Sequence, residues 1–88
     1  MTAVVTMHDQ INEPIEVIAS FKKSDIIPRL FVWRRKIYKV DKVHLVHTSQ
    51  TGHETVYHFS VTDSANYFQL AFNPFNLSWM LETIYTEG

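Results

Sequence analysis

Four histidines, His44, His47, His53 and His58, crowd one part of the chain, with His8 far upstream. Imidazoles facing each other across neighbouring strands are the usual beginning of a zinc or nickel site. A hairpin that pairs Leu45 with Tyr57 also sets His44 against His58, so these two are the candidate metal ligands. His47 falls on the other face of a regular strand, which leaves no third ligand. No His-x-Glu-x-x-His spacing or cysteine pair supports such a site either. Histidines on a solvated strand face are the simpler reading. Ser60, His58 and Asp63 are the residue types of nucleophilic catalysis, but no glycines of a nucleophile elbow accompany them. The only glycines are Gly52 and Gly88, so there is no loop to cradle a phosphate. The expectation is a protein that is not an enzyme and needs no cofactor.

Positive charge is the next candidate. All eight Lys and Arg residues lie between Lys22 and Lys42, a window with only two acids, whereas the remainder carries seven acids and no Lys or Arg. Such a split marks either a basic binding face or strands that neutralise one another internally. Arg34, Arg35, Lys36 and Lys39, with Arg29 and Lys42 beside them, are the candidate contacts for nucleic-acid phosphates or an acidic partner.

These side chains must be carried by strands. In Phe31-Val32-Trp33-Arg34-Arg35-Lys36-Ile37-Tyr38-Lys39-Val40, large residues alternate on either side of a basic tip. A turn at Arg35-Lys36 opposes Trp33 to Tyr38 and Phe31 to Val40, placing all four on one face. That face matches the other apolar rows, so Trp33 and Tyr38 are read as core. Ile15, Val17, Ala19 and Phe21 alternate as an earlier strand opened by Pro14. Residues 22–28 read as a connection closed by Pro28, which excludes a central-strand role there. A bulge at Asp41-Lys42 keeps Val43 and Leu45 on the core side.

His47 to Glu54 reads as a hairpin loop. Asp63–Asn66 and Asn73–Asn76 are four-residue turns that set Val61, Phe59 and Tyr57 against Phe68, Leu70 and Phe72. These in turn face Leu81, Trp79 and Leu77. The expected fold is all-β, one domain over 13–88, an antiparallel meander of five to six strands, curled or closing into a small barrel. Its core would hold Phe31, Trp33, Tyr38, Val40, Val43, Leu45, Tyr57, Phe59, Val61, Phe68, Leu70, Phe72, Trp79 and Leu81. Residues 1–12 read as a loose N-terminal arm or an edge strand. Leu77, Met80, Leu81 and Ile84 also fit helical spacing, so a helix over 77–86, giving an α+β domain, is the alternative.

Eighty-eight residues allow one modest core. With 45% apolar residues the chain is not of disordered composition. The absence of cysteine fits a reducing compartment, no apolar run has membrane-spanning length, and the start lacks a signal-peptide pattern. A cytoplasmic protein without membrane contact is expected.

Glu13-Pro14-Ile15-Glu16-Val17, Phe31-x-Trp33-Arg34-x-x-x-Tyr38-x-Val40, Tyr57-x-Phe59-x-Val61 and Trp79-x-Leu81-x-x-x-Tyr85 together resemble a family of small bacterial β-domains of unknown function. They are also similar to the C-terminal region of Y-family-polymerase-like proteins of damage-induced mutagenesis. The resemblance implies a β-fold and a link to DNA-damage response, but no catalytic residue. Arg35 stands where such relatives have Gly after Trp-Arg, and Ser78 where they have Gly before the last Trp. In a tight hairpin with left-handed central residues, Arg costs roughly 1 kcal/mol more than Gly.

The functional expectation is a non-enzymatic binding module, monomeric or homodimeric. A protein partner comes first and nucleic acid, through the basic ribbon 29–42, is the alternative. Ile18, Val32, Ile37, Val46, Val56 and Met80 lie outside the core set and would mark a docking surface where several are contiguous and exposed.

Overall fold

The computed structural model describes the backbone of residues 6–87 and the side chains of residues 9–85. All regular structure in it is β. β1 (Thr6–Lys22), β2 (Asp25–Trp33), β3 (Lys36–Lys39), β4 (Lys42–Thr51), β5 (Glu54–Thr62), β6 (Tyr67–Asn73) and β7 (Ser78–Glu87) form one antiparallel sheet in the order β3-β2-β1-β7-β6-β5-β4. The strands number seven, above the five or six expected, and where the alternative had a helix over 77–86 the chain is strand from Ser78 onward, with Leu77 in the preceding turn. Met80 and Leu81 there answer to a sheet because β1 and β6 flank β7 and supply its ladder bonds.

One strand, β1, is shared between two layers, β3-β2-β1 and β1-β7-β6-β5-β4. β1 pairs with β7 from Thr6 to Ile15 and with β2 from Glu16 to Lys22. β3 and β4 follow one another at opposite ends of the sheet. Between them Val40 donates to the Arg29 carbonyl (2.9 Å) and Asp41 to that of Thr62 (2.8 Å). The sheet is therefore strongly curled but not closed: its two ends are consecutive pieces of chain, and among the described residues no ladder joins β3 to β4. The core lies inside the curl, where Phe31, Phe59, Val61, Phe68, Leu70, Phe72 and Leu81 are buried. Phe68 of β6 makes edge contacts with Phe31 and Tyr38, at 5.1 and 5.5 Å between ring centres. Trp33, Tyr38, Val40, Val43, Tyr57 and Trp79 pack around this set.

Several registers differ from those the sequence suggests. The β2–β3 turn is Arg34-Arg35, with φ of 51° and 66°, so Phe31 pairs with Tyr38 and Trp33 with Lys36. A two-residue turn with both φ positive matches the right-handed twist of its strands, and it leaves Phe31 stacked on Tyr38 at 5.0 Å. The shift is by two residues, so the apolar parity survives. Replacing Arg35 by Gly should raise stability by about 0.5–1 kcal/mol by relieving a left-handed non-glycine residue, measured as a higher urea midpoint at unchanged m-value.

Pro28 is buried within β2, not in a connection. It is tolerated beside the irregularity that leaves Arg29 unopposed, where the ladder is already broken. In β4 the irregularity falls between Val43 and Leu45, beyond the expected Asp41-Lys42. Leu45 is consequently turned outward and 56% exposed, the one expected core residue that the core does not include. β4 continues to Thr51, and the turn is only Gly52-His53, with Gly52 at φ 63°. The β5–β6 register agrees with the expected one, whereas β7 is shifted so that Phe72 pairs with Trp79 and Leu70 with Leu81.

Candidate functional site

The basic ribbon does not present one face. Arg34 is held by Glu13: its Nη2 donates to Oε2 at 2.7 Å and its Nε to Oε1 at 3.3 Å. Trp33 Nε1 donates to the same Oε1 at 2.9 Å, and the guanidinium carbon lies 4.5 Å from the centre of a Trp33 ring. Lys36 lies opposite Trp33 on the inner side, its Nζ 5.7 Å from the centre of the Tyr38 ring. Lys39 is opposite Leu30 on the outer side, and Arg29 donates to Ser20 Oγ at 3.1 Å. Arg35 and Lys42 are exposed, on the hairpin tip and at the start of β4.

The charged residues thus surround the hairpin, while Trp33 and Tyr38 are half-buried against the core. Glu13 is the clamp that fixes this tip. Hydrogen bonds from Arg34 and then Trp33 hold its carboxyl below the usual carboxylate range. A carboxyl depressed on folding stabilises the protein above its unfolded pKa, and that contribution fades as pH falls through the folded pKa. Melting temperature should therefore drop more steeply on acidification below about pH 4.3 in the wild type than in Glu13→Gln.

The histidines separate. His44 sits at the β4 irregularity, its Nε2 2.9 Å from Thr62 Oγ1 and its ring stacked on Tyr67. The residue opposite His58 is His47, stacked at 4.8 Å between ring centres, because the irregularity moves the register expected for His44. Around His58 a polar cluster forms. Nδ1 is 2.6 Å from Glu82 Oε1, Nε2 is 2.7 Å from Ser49 Oγ, and Gln69 Nε2 donates to Glu82 Oε1 at 3.1 Å. One tautomer satisfies it, with Nδ1–H donating to Glu82 and Nε2 accepting the Ser49 hydroxyl.

This order of serine, imidazole and carboxylate is that of a nucleophilic relay. On the outer sheet face these bonds tie β4, β5 and β7 together. Among the described residues, no three His, Cys, Asp or Glu side chains gather so as to hold a metal ion. Sequence reasoning passed over Ser49 and Glu82. Glu82 is the unopposed residue of a β7 bulge, and no alternation rule places such a side chain.

A third feature is apolar. Where β1 leaves β7 to join β2, a groove of about 540 Å³ opens between the second half of β1 and the β6–β7 turn. Val17, Phe21, Phe72, Leu77 and Trp79 line it. Phe21 meets Phe72 edge-on at 5.9 Å, and Phe72 lies 4.6 Å from Trp79. Along the same stretch, Glu16 to Lys22 pair with β2 on one side and with no strand on the other among the described residues.

The turn beyond is closed by its own asparagine side chains. Asn73 Oδ1 accepts from the Phe75 amide (2.9 Å), and Asn76 Oδ1 accepts from the Ser78 amide (3.1 Å) and hydroxyl (2.6 Å). It holds Leu77 at φ 58°. Phe75 and Leu77 are 79% and 76% exposed, and Phe21 62%. The Asn73 and Asn76 pair was legible as turn chemistry, but Phe21 and Leu77 were read only as members of apolar strand rows, outside the core set.

Among the described residues no helix is long and apolar enough to cross a membrane. No family model matches this chain, and no curated protein or solved structure matches it.

Proposed function

We propose that this chain is a non-enzymatic protein-interaction module whose groove beside β1 takes an extended apolar segment of a partner protein. The observation that carries the reading is the exposure of Phe21 and Leu77 in an aromatic-lined groove, with exposed Phe75 in the adjoining turn. Large apolar side chains concentrated at one place mark an interaction site. The unpaired side of Glu16–Lys22 supplies backbone donors and acceptors next to that groove, the combination used in strand addition. Binding of nucleic acid by the ribbon is the weaker reading, because Arg34 is already paired and the remaining cations point in different directions.

Leu77 supports the proposal from the side of stability. A left-handed leucine is strained by roughly 1 kcal/mol, and its exposed side chain contributes little to the core. Leu77→Gly should therefore stabilise the domain by about 1 kcal/mol while weakening partner binding about tenfold or more, through lost apolar contact. A random nonapeptide phage library panned on the domain provides the probe. The expected result is enrichment of alternating apolar peptides whose amide shift changes map to 16–22 and 77–79 and which bind Leu77→Gly poorly. Shift changes confined to another face, or equal affinity for Leu77→Gly, would overturn the reading.

A further inference from the structure

The outer face of β1, β2 and β3 carries a second pattern, which shares only Glu16 with the groove. The register sets Glu16, Val32 and Ile37 in one row across the three strands and Ile18, Leu30 and Lys39 in the next. Ile18 and Ile37 are 62% and 63% exposed, although they stand on neighbouring rows at opposite edges of the patch. Val32 and Leu30 fill the centre and are half-buried. Glu16 and Lys39 occupy the remaining two corners, exposed and without an ion pair among the described residues. An apolar diagonal is thus crossed by a diagonal with one negative and one positive end.

From this arrangement we infer that the face is self-complementary and that its occupant is a second copy of this chain. A two-fold axis lying in the plane of the face, perpendicular to the line from Glu16 to Lys39, exchanges those two corners. Glu16 of each copy then meets Lys39 of the other, giving two ion pairs. With strands about 4.8 Å apart and alternate residues about 6.8 Å apart, the same rotation brings Ile18 against Ile18 and Ile37 against Ile37. Val32 falls beside the opposing Ile37, and Leu30 beside the opposing Ile18. The strands of the two copies cross at about 70°, near the orthogonal class of sheet packing. The interface is isologous, as a closed dimer requires.

A patch of six residues is smaller than the roughly 800 Å² per partner of a stable complex. The dimer is therefore weak and exchanges with monomer, and it carries one groove on each copy.

Sedimentation velocity over a concentration series up to about 1 mM tests this on the intact chain, with circular dichroism confirming that each variant is folded. The wild type should show a monomer–dimer equilibrium. Glu16→Lys alone and Lys39→Glu alone should each weaken it about tenfold or more, because like charges then meet. The double variant Glu16→Lys with Lys39→Glu should restore it, and Ile37→Ser should abolish it. A wild type that remains monomeric at the highest concentration overturns the inference. So does a dimer indifferent to the single reversals, or one that the double reversal fails to recover.

Discussion

Phe68→Ala should cost about 3–5 kcal/mol and lower the melting temperature by roughly 15–30 °C, the largest effect expected of a single substitution in this protein. Phe68 is 1% exposed and stands at the meeting of the two layers, with Phe31 and Tyr38 against its ring. Its removal empties the space between β6 and the β2–β3 hairpin, which the backbone of either layer can fill only by shifting. An 88-residue domain has a total stability of about 4–13 kcal/mol, so the loss consumes a large share of it. Calorimetry or urea unfolding checks the value. A cost under about 1 kcal/mol would mean that the layers are not joined through this ring. Phe75→Ala is the control: the same chemical change at a 79% exposed position should leave stability within about 0.5 kcal/mol.

The second large effect concerns Glu82. His58→Leu removes the imidazole that lies 2.6 Å from its carboxylate and leaves only the Gln69 amide as a partner on a half-buried group. The expected cost is about 1–3 kcal/mol, the penalty for stranding a polar group rather than the worth of the bond itself. His58→Leu with Glu82→Leu should recover part of that loss, since no carboxylate is then stranded and only the Ser49 hydroxyl and the Gln69 amide lose a partner. The double-mutant cycle separates the polar network from simple packing. Independent, additive losses at the two positions would show that the imidazole and carboxylate are not coupled.

Parity was legible for all of the expected core except Leu45, whereas register was legible only between β5 and β6. Alternation in 57–61 and 68–72 identified β5 and β6 together with their pairing, because the Asp63–Asn66 turn leaves a single register open to them. In the β2–β3 hairpin a shift by two residues preserves every inward-facing side chain and changes only which residue lies opposite. Apolar pattern therefore cannot distinguish the Arg34-Arg35 turn from Arg35-Lys36. Steric cost argued against arginine in a left-handed turn, and the Glu13 clamp on Arg34 and Trp33 offsets that cost from a strand distant in sequence. The same limit hid the candidate sites. Glu82 meets His58 only because a bulge re-aims it. The groove exists only because β1 changes partners at Ile15 and Glu16, where the sequence carries no break in alternation. Irregularities of this kind depend on which strands are neighbours, and that is a property of topology rather than of any window of residues.

The pairing of β1 with β7 also sets how the chain acquires its shape. Every other ladder joins strands that are consecutive in sequence, whereas Thr6 and Glu87 belong to the same pair. The consecutive hairpins assemble by short-range closure on a timescale of roughly 1–10 µs. The β1–β7 ladder must instead close a loop of most of the molecule before any of its bonds repays the lost entropy. On the ribosome that step has to wait for β7 to emerge. Until then the apolar edges of β1 and β6 that flank it stand open, and this nascent interval is when the protein is most exposed to aggregation.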